Sequence, residues 1–271
     1  MLSDIVKRDY MERERKTLEV DDQIIINTMS RSGSHAVANW IGAQLSGNVE
    51  FRNNLAKIYW NNQLPDPLDK RLPFNLCNLP STKRKGGDID HLLYTCENVH
   101  GNRFFIHPLV KSRTCRKIIL LRDPYNLLAS LAYLCANGFD TGPFWFAWED
   151  DKKVLTGLFY RFMDMWRSHA VLSKEKGIIL IAYNKWKDSK AYRDSLASEL
   201  GLPKRSDDSL NQVPDNGGGS SFDGLKFEGR GKDMNTNERW KHFENEDWFI
   251  NFFKEYPRIV ELSNEIFGEI C

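Results

Sequence analysis

The stretch Thr28-Met29-Ser30-Arg31-Ser32-Gly33-Ser34-His35 follows a short apolar run, Gln23-Ile24-Ile25-Ile26-Asn27. It precedes apolar positions at Ala36, Val37, Trp40, Ile41 and Leu45, spaced for one face of a helix. A small-residue turn between a strand and a helix suits the binding of phosphate or sulfate. The first N–H groups of a helix have no partner within it and carry the positive end of its dipole, and a glycine lets an anion approach the backbone. Arg31 adds a cation. The ATP-binding form of such a loop, GxxxxGK[ST], puts a lysine directly after its second glycine, but here Ser34 and His35 follow Gly33. Taken alone, the stretch also reads as a helix start capped by Ser32 or Ser34.

A second candidate lies at Lys117-Ile118-Ile119-Leu120-Leu121-Arg122-Asp123-Pro124, continuing to Ser130. Arg122 ends an apolar strand on the edge of a parallel sheet where ligands bind, Pro124 suits a first helical turn, and Ser130 lies about two turns on. A guanidinium fork and a hydroxyl at that spacing could grip a phosphate; alone, an Arg-Asp pair such as Arg122-Asp123 is more often a structural salt bridge. His107, after Phe104-Phe105-Ile106, has the chemistry of a general base near neutral pH or of a strand-capping side chain.

These residues need a sheet to carry them. Short apolar strands are predicted at 23–27, 103–106, 117–121 and 177–183, and a core-facing helix through Val154, Leu158, Phe162, Met165 and His169. The fold class is therefore α/β, with a central parallel sheet flanked by helices, in a single domain over 1–271. Residues 1–20 read as a polar helix or arm, 50–92 as an irregular insertion, 203–236 as a mobile loop over the site, and 244–266 as a final helix.

Composition limits the function. The 271 residues carry 38 Lys+Arg against 37 Asp+Glu, a net charge of +1, so an anion is bound locally rather than by a general field. A nucleic-acid or anionic-membrane partner is not expected. Apolar runs such as 24–26 and 178–181 fall far short of the roughly 18 residues that span a bilayer. The charged N-terminus has no apolar signal core, so the chain reads as soluble and cytoplasmic. Five widely spaced cysteines without a CxxC suggest neither a disulfide framework nor a zinc site, and no acidic cluster suggests a metal.

Together, the two phosphate motifs resemble the sulfotransferases that use 3'-phosphoadenosine 5'-phosphosulfate (PAPS) and release 3'-phosphoadenosine 5'-phosphate (PAP). The resemblance runs from about residue 23 to 243 and implies the P-loop-like sulfotransferase fold. It implies that Arg31, Ser32, Gly33 and Ser34 hold the 5'-phosphosulfate, with His35 where a hydroxyl is common, and that Arg122 and Ser130 hold the 3'-phosphate. It further places Tyr183 beside the nucleotide, closes Arg230, Gly231 and Lys232 over the 3'-phosphate ahead of Trp240-Lys241, and makes His107 the base. Arg31 would stabilise the leaving phosphate. Two departures stand out: Phe105 replaces a lysine, and Ala36 replaces the ring that stacks on adenine, leaving stacking to Trp186 or Phe222.

Phe139, Phe144, Trp145, Phe146 and Trp148 are candidates to line a pocket for a small-molecule or saccharide acceptor, and equally for core packing or a lid anchor. Two other functions compete: a P-loop kinase of small molecules or nucleotides, which requires ATP and magnesium, and a non-catalytic relative that binds the nucleotide.

Overall fold

The computed structural model describes residues 18–53, 89–98, 110–137, 152–203, 206–213 and 219–270. Among them five parallel strands form one sheet in the order β2-β3-β1-β4-β5. The strands are β1 (Leu18–Thr28), β2 (Val49–Arg52), β3 (His91–Glu97), β4 (Val110–Leu121) and β5 (Ile178–Ala182). Helices α1 (Ser34–Gln44), α2 (Pro124–Ala136), α3 (Lys152–Leu172), α4 (Tyr183–Asp188), α5 (Lys190–Glu199), α6 (Asp247–Glu255) and α7 (Pro257–Phe267) cover it.

Alternation along the strands explains why their sequences are apolar without a break. Ile24, Ile26, Leu93, Ile118, Leu120 and Ile181 face one side and pack with Val37, Trp40 and Ile41 of α1, Trp186 of α4 and Leu196 of α5. Ile25, Leu92, Tyr94, Ile119 and Leu121 face the other and pack with Leu127 and Leu131 of α2, Phe162 and Trp166 of α3, Phe252 of α6 and Leu262 of α7. A sheet buried on both faces leaves no polar stripe to read.

The register decides where function can sit. Thr28 pairs with Glu97 on β3 and with Leu120 on β4, and Leu121 pairs with Ala182 on β5. Four strands therefore end at one level. The turn after β1, the end of β3, Arg122 after β4 and Tyr183 after β5 share one edge, the carboxyl edge where ligands of open α/β sheets bind.

Several elements differ from the sequence expectation. The strand beside β1 is His91–Glu97, which overlaps the end of the expected 50–92 insertion, and β2 overlaps its start; the expected strand at 103–106 lies outside the described residues. Both β1 and β4 start earlier than expected, and residues 18–20 of the expected N-terminal arm belong to β1. Tyr183 opens α4 rather than ending β5. The described parts of 203–236 form short 3₁₀ turns, at Asp208–Asn211 and Gly231–Asp233, and a small turn closed by pairing of Ser220 with Gly224. The expected 244–266 helix is two helices, because Pro257 lacks an N–H and disfavours helical backbone at Tyr256, whose φ is −120° and ψ 59°.

At the amino edge, the buried Asp22 carboxylate accepts from His91 Nδ1 at 2.9 Å, from Thr114 Oγ1 at 2.8 Å and from the Arg116 guanidinium. This cluster joins β3, β1 and β4. Asp22→Asn is expected to cost roughly 1–3 kcal/mol, read as a lower urea midpoint; an unchanged midpoint would show that the charge contributes nothing net.

Candidate functional site

The turn after β1 has two residues in left-handed backbone, Arg31 at φ 71° and Gly33 at φ 84°. At Gly33 the need is double: positive φ suits glycine, and an added Cβ would lie 2.2 Å from Tyr183 Cε2. The Ser32 N–H donates to Met29 O at 3.1 Å and closes the turn. Ser34 Oγ donates to Glu97 Oε1 at 3.0 Å, Ser30 Oγ donates to Glu97 Oε2 at 3.3 Å, and the Ser30 N–H donates to Asn98 Oδ1 at 3.0 Å. The end of β3 thus clamps the turn. Helix α1 starts without a side-chain cap or an acidic residue in its first turn, and the carboxylate near its N-terminus, Glu97, comes from β3. The Ser32 hydroxyl is fully buried and makes no hydrogen bond, a state that native structures avoid unless the group serves something else.

Three guanidiniums meet beside this turn. Arg122, 2% exposed, donates from Nη1 to Arg31 O at 3.1 Å and to Ser130 Oγ at 2.9 Å, and from Nη2 to Thr236 O. Its own carbonyl accepts from Trp166 Nε1 at 2.8 Å, which fixes the end of β4 against α3. Arg239 donates from Nη2 to Ser220 Oγ at 2.5 Å and to Asp223 Oδ2 at 3.3 Å, and its Nη1 reaches the same Ser130 Oγ at 3.4 Å. Arg31 donates from Nε to Ser221 Oγ at 2.8 Å and from Nη2 to Gly219 O at 3.3 Å. The Nε atoms of Arg122 and Arg239 are buried without partners.

Electrostatics reflect this crowding. Burial, and next the charge of Arg239, push Arg122 down to about 10, so it stays charged at neutral pH. Arg31 is lowered by burial and then by Arg239, with Glu97 opposing. Arg239 is lowered by burial, while Tyr183 and Asp223 oppose.

The structure brings Arg31, Ser32, Gly33, Ser34, Arg122, Ser130 and Tyr183 to one place. The Tyr183 ring lies against Gly33 and under Arg122, whose guanidinium carbon is 5.6 Å from the ring centroid. His35 is half-buried beside the turn, its ring edge-on to Phe51 at 6.4 Å and its Nε2 buried without a hydrogen-bond partner. Burial pulls its pKa below the usual imidazole value, with Glu97 opposing and Arg31 adding to the fall.

Other expected residues are placed differently. Arg230 and Lys232 are exposed, and Lys187 Nζ donates to the carbonyls of Gly231 at 3.0 Å and Lys232 at 2.6 Å. Gly231 packs so tightly that a Cβ would meet Leu210 O at 2.5 Å. Residues 230–232 therefore join α4 to an outer turn, and Arg239 is the arginine of this segment that enters the cluster. Asp123 does not hold Arg122; its carboxylate caps α2 by accepting from the Asn126 N–H at 2.8 Å. Trp186 is buried against Trp40 and Tyr183. Phe222 stacks on Tyr133 at 4.0 Å and carries the Arg239 guanidinium at 5.0 Å. His107, Phe105 and the aromatic residues 139–148 lie outside the described residues.

Sequence reasoning missed Arg239 and Glu97. Arg239 directly precedes the Trp240-Lys241 pair, a signal obscured by the more conspicuous Arg230-Gly231-Lys232. Glu97 was hidden because its strand was not foreseen.

No protein-family model matches the chain, and no curated protein matches it. Among solved structures it is similar to the mouse sulfotransferase SULT7A1 complexed with PAP, at 13% identity and a TM-score of 0.43, over 90% of this chain and 84% of the other. It is similar also to retinol dehydratase in complex with androsterone and inactive cofactor PAP, at 12% identity and a TM-score of 0.45, over 90% of this chain and 80% of the other.

Gly33→Ala is expected to destabilise the protein by at least about 1 kcal/mol, since it combines left-handed backbone with a methyl group driven into the Tyr183 ring. A denaturant midpoint equal to that of the parent protein would show that the turn and Tyr183 separate freely.

Proposed function

We propose that the chain is a PAPS-dependent sulfotransferase. The observation that carries this reading is the convergence of Arg31, Arg122 and Arg239 on a strand–turn–helix whose buried Ser32 Oγ, Arg122 Nε and Arg239 Nε lack partners. Three clustered cations with surplus N–H and O–H donors fit a ligand with several anionic oxygens at two positions, as in a nucleotide phosphorylated on both sides of its ribose. The order of the motifs along the chain supports the same assignment.

In this proposal Arg31, Ser32, Gly33, Ser34 and the first N–H groups of α1 hold the 5'-phosphosulfate, with His35 at its edge. Arg122, Ser130 and Arg239 hold the 3'-phosphate, and Tyr183 flanks the nucleotide. Arg239 takes the place that the sequence offered to Arg230, Gly231 and Lys232. PAPS supplies the sulfuryl group; the protein supplies fixed donors where negative charge builds on the departing phosphate oxygen, and Arg31 with the helix N–H groups is set there. The acceptor, a small molecule or saccharide with a hydroxyl or amine, gives up a proton. His107 is the base by resemblance, and Glu97 is the carboxylate in contact with the turn.

One observation favours a second reading. The hydroxyl of the first residue of α1 donates to a carboxylate at the end of the adjacent strand, Ser34 to Glu97, and P-loop kinases hold magnesium with a hydroxyl and a carboxylate of that kind. The kinase reading requires magnesium and ATP; aligned on Gly33, Ser34 stands where its loop has the lysine and His35 where it has the magnesium-binding hydroxyl, so Ser34 would supply that hydroxyl one residue early.

Thermal denaturation separates the two. Adenosine 3',5'-bisphosphate at about 100 times its Kd should stabilise the protein by about 2.7 kcal/mol, and more than ATP with magnesium at equal concentration. The reverse order would favour the kinase. Arg122→Ala should weaken bisphosphate binding at least about tenfold. In a sulfate-transfer assay over an acceptor library, His107→Ala and Glu97→Gln identify the base. The variant that loses kcat while binding the bisphosphate normally has lost it, and full kcat in His107→Ala removes that residue from the role.

A further inference from the structure

Of the three arginines, Arg239 is the one not carried by the end of a strand. Arg31 leaves β1 through a turn clamped by Glu97 and Asn98, and Arg122 ends β4 beneath Trp166. Arg239 instead begins a four-residue 3₁₀ turn, Arg239–His242, which has little structure of its own. Arg122 on Thr236 O and Asn237 on Asp188 tie the chain just before it, and Asn126 in the first turn of α2 holds the turn itself. Its Oδ1 accepts the Trp240 N–H at 3.1 Å, and its Nδ2 donates to Asn237 O at 3.0 Å. One fully buried carboxamide thus grips the chain on both sides of Arg239.

The carboxamide is braced in turn. Asn126 Nδ2 also donates to Asp123 Oδ2 at 2.9 Å, and that oxygen accepts from Asn184 Nδ2 of α4 at 2.7 Å. Asparagine offers a donor and an acceptor on one planar group; an aspartate offers acceptors alone and an alanine neither. Helix α2 also carries Ser130, whose Oγ is 2.9 Å from Arg122 and 3.4 Å from Arg239. Asn126 and Ser130 therefore measure the position of Arg239 from the same helix that follows Arg122.

We propose that Asn126 is a positioning residue that sets Arg239 against Arg122, and so fixes the affinity of the pocket for the phosphate on the ribose. The proposal rests on reading that pocket as a bisphosphate site.

The test is a double-mutant cycle read by calorimetric titration with adenosine 3',5'-bisphosphate. Asn126→Ala should weaken binding roughly tenfold in the parent protein and have no further effect in an Arg239→Ala background, because a residue that acts through another is silent once that other is gone. Asn126→Asp, which keeps the acceptor for Trp240 but sets a carboxylate oxygen against Asp123 Oδ2 and Asn237 O, should weaken binding at least as much as Asn126→Ala. Should Asn126→Ala not fold, as judged by its urea midpoint, Asn126→Ser decides through the same cycle. Equal losses in both backgrounds would mean that Asn126 acts on the fold at large, and would overturn the proposal. If the parent protein does not bind the bisphosphate, or Arg122→Ala and Arg239→Ala both bind it unchanged, the pocket itself has been misread and the proposal falls with it. Loss in Arg239→Ala with normal binding in Asn126→Ala overturns only the positioning role.

Discussion

Guanidiniums of like charge repel, and burying them removes the water that would screen them, at a cost of several kcal/mol per ion before compensation. Arg31, Arg122 and Arg239 are nonetheless drawn together beside one turn, close enough for burial and mutual repulsion to hold down the pKa of Arg31 and Arg122. Neutral oxygens meet part of the demand: Arg31 O, Thr236 O, Gly219 O and the hydroxyls of Ser130, Ser220 and Ser221. Only Asp223 brings a carboxylate into direct contact with one of the three among the described residues. Glu97, Asp123 and Asp223 offset part of the charge, yet Nε of Arg122 and of Arg239 stays buried without a partner, a donor surplus that an anionic ligand would satisfy.

The rest of the fold supplies what this cluster costs. The sheet is covered on both faces, and the alternation of Ile24, Ile25 and Ile26 sends successive side chains into different halves of the core. That two-sided burial stabilises the strands strongly enough for their ends to be spent on strained or unpaired groups. Parallel register then places those ends at one level, so that a turn, a carboxylate, an arginine and a tyrosine from four strands share an edge. The unpartnered Ser32 hydroxyl and the left-handed backbone at Arg31 and Gly33 sit where the core leaves off.

Segments without a strand to carry them are held by polar side chains instead. Asn126, Asp123, Asn184 and Asn237 form a chain of hydrogen bonds linking α2, α4 and the turn that carries Arg239; Asn237 Nδ2 donates onward to Asp188 at 2.6 Å. Phe222 rests on Tyr133 and carries Arg239, so the small turn at 219–224 and the arginine brace each other. Stacking on Tyr133 occupies one face of the ring that the sequence offered for an adenine, while Trp186 is enclosed by the core.

Local signals sufficed for the α/β class, for the strand–turn–helix around Gly33, for Arg122 at a strand end with Ser130 two turns on, and for α3, because each rests on spacing within a dozen or so residues. The position of β3 was not legible, since His91–Glu97 is recognisable as a strand mainly through pairing with β1, about seventy residues earlier. The break at Pro257 is legible in principle, because a proline inside a helical stretch ends the helix at the residue before it. Arg239 shows the limit most clearly: Arg230 and Lys232 have the more suggestive sequence, yet the packing of Gly231 on Leu210 O and the pull of Lys187 turn them outward. A sequence states which residues can carry charge to a site; which of them arrives depends on contacts between segments more than a hundred residues apart, such as Asn126 with Trp240, and those exist only once the chain has folded.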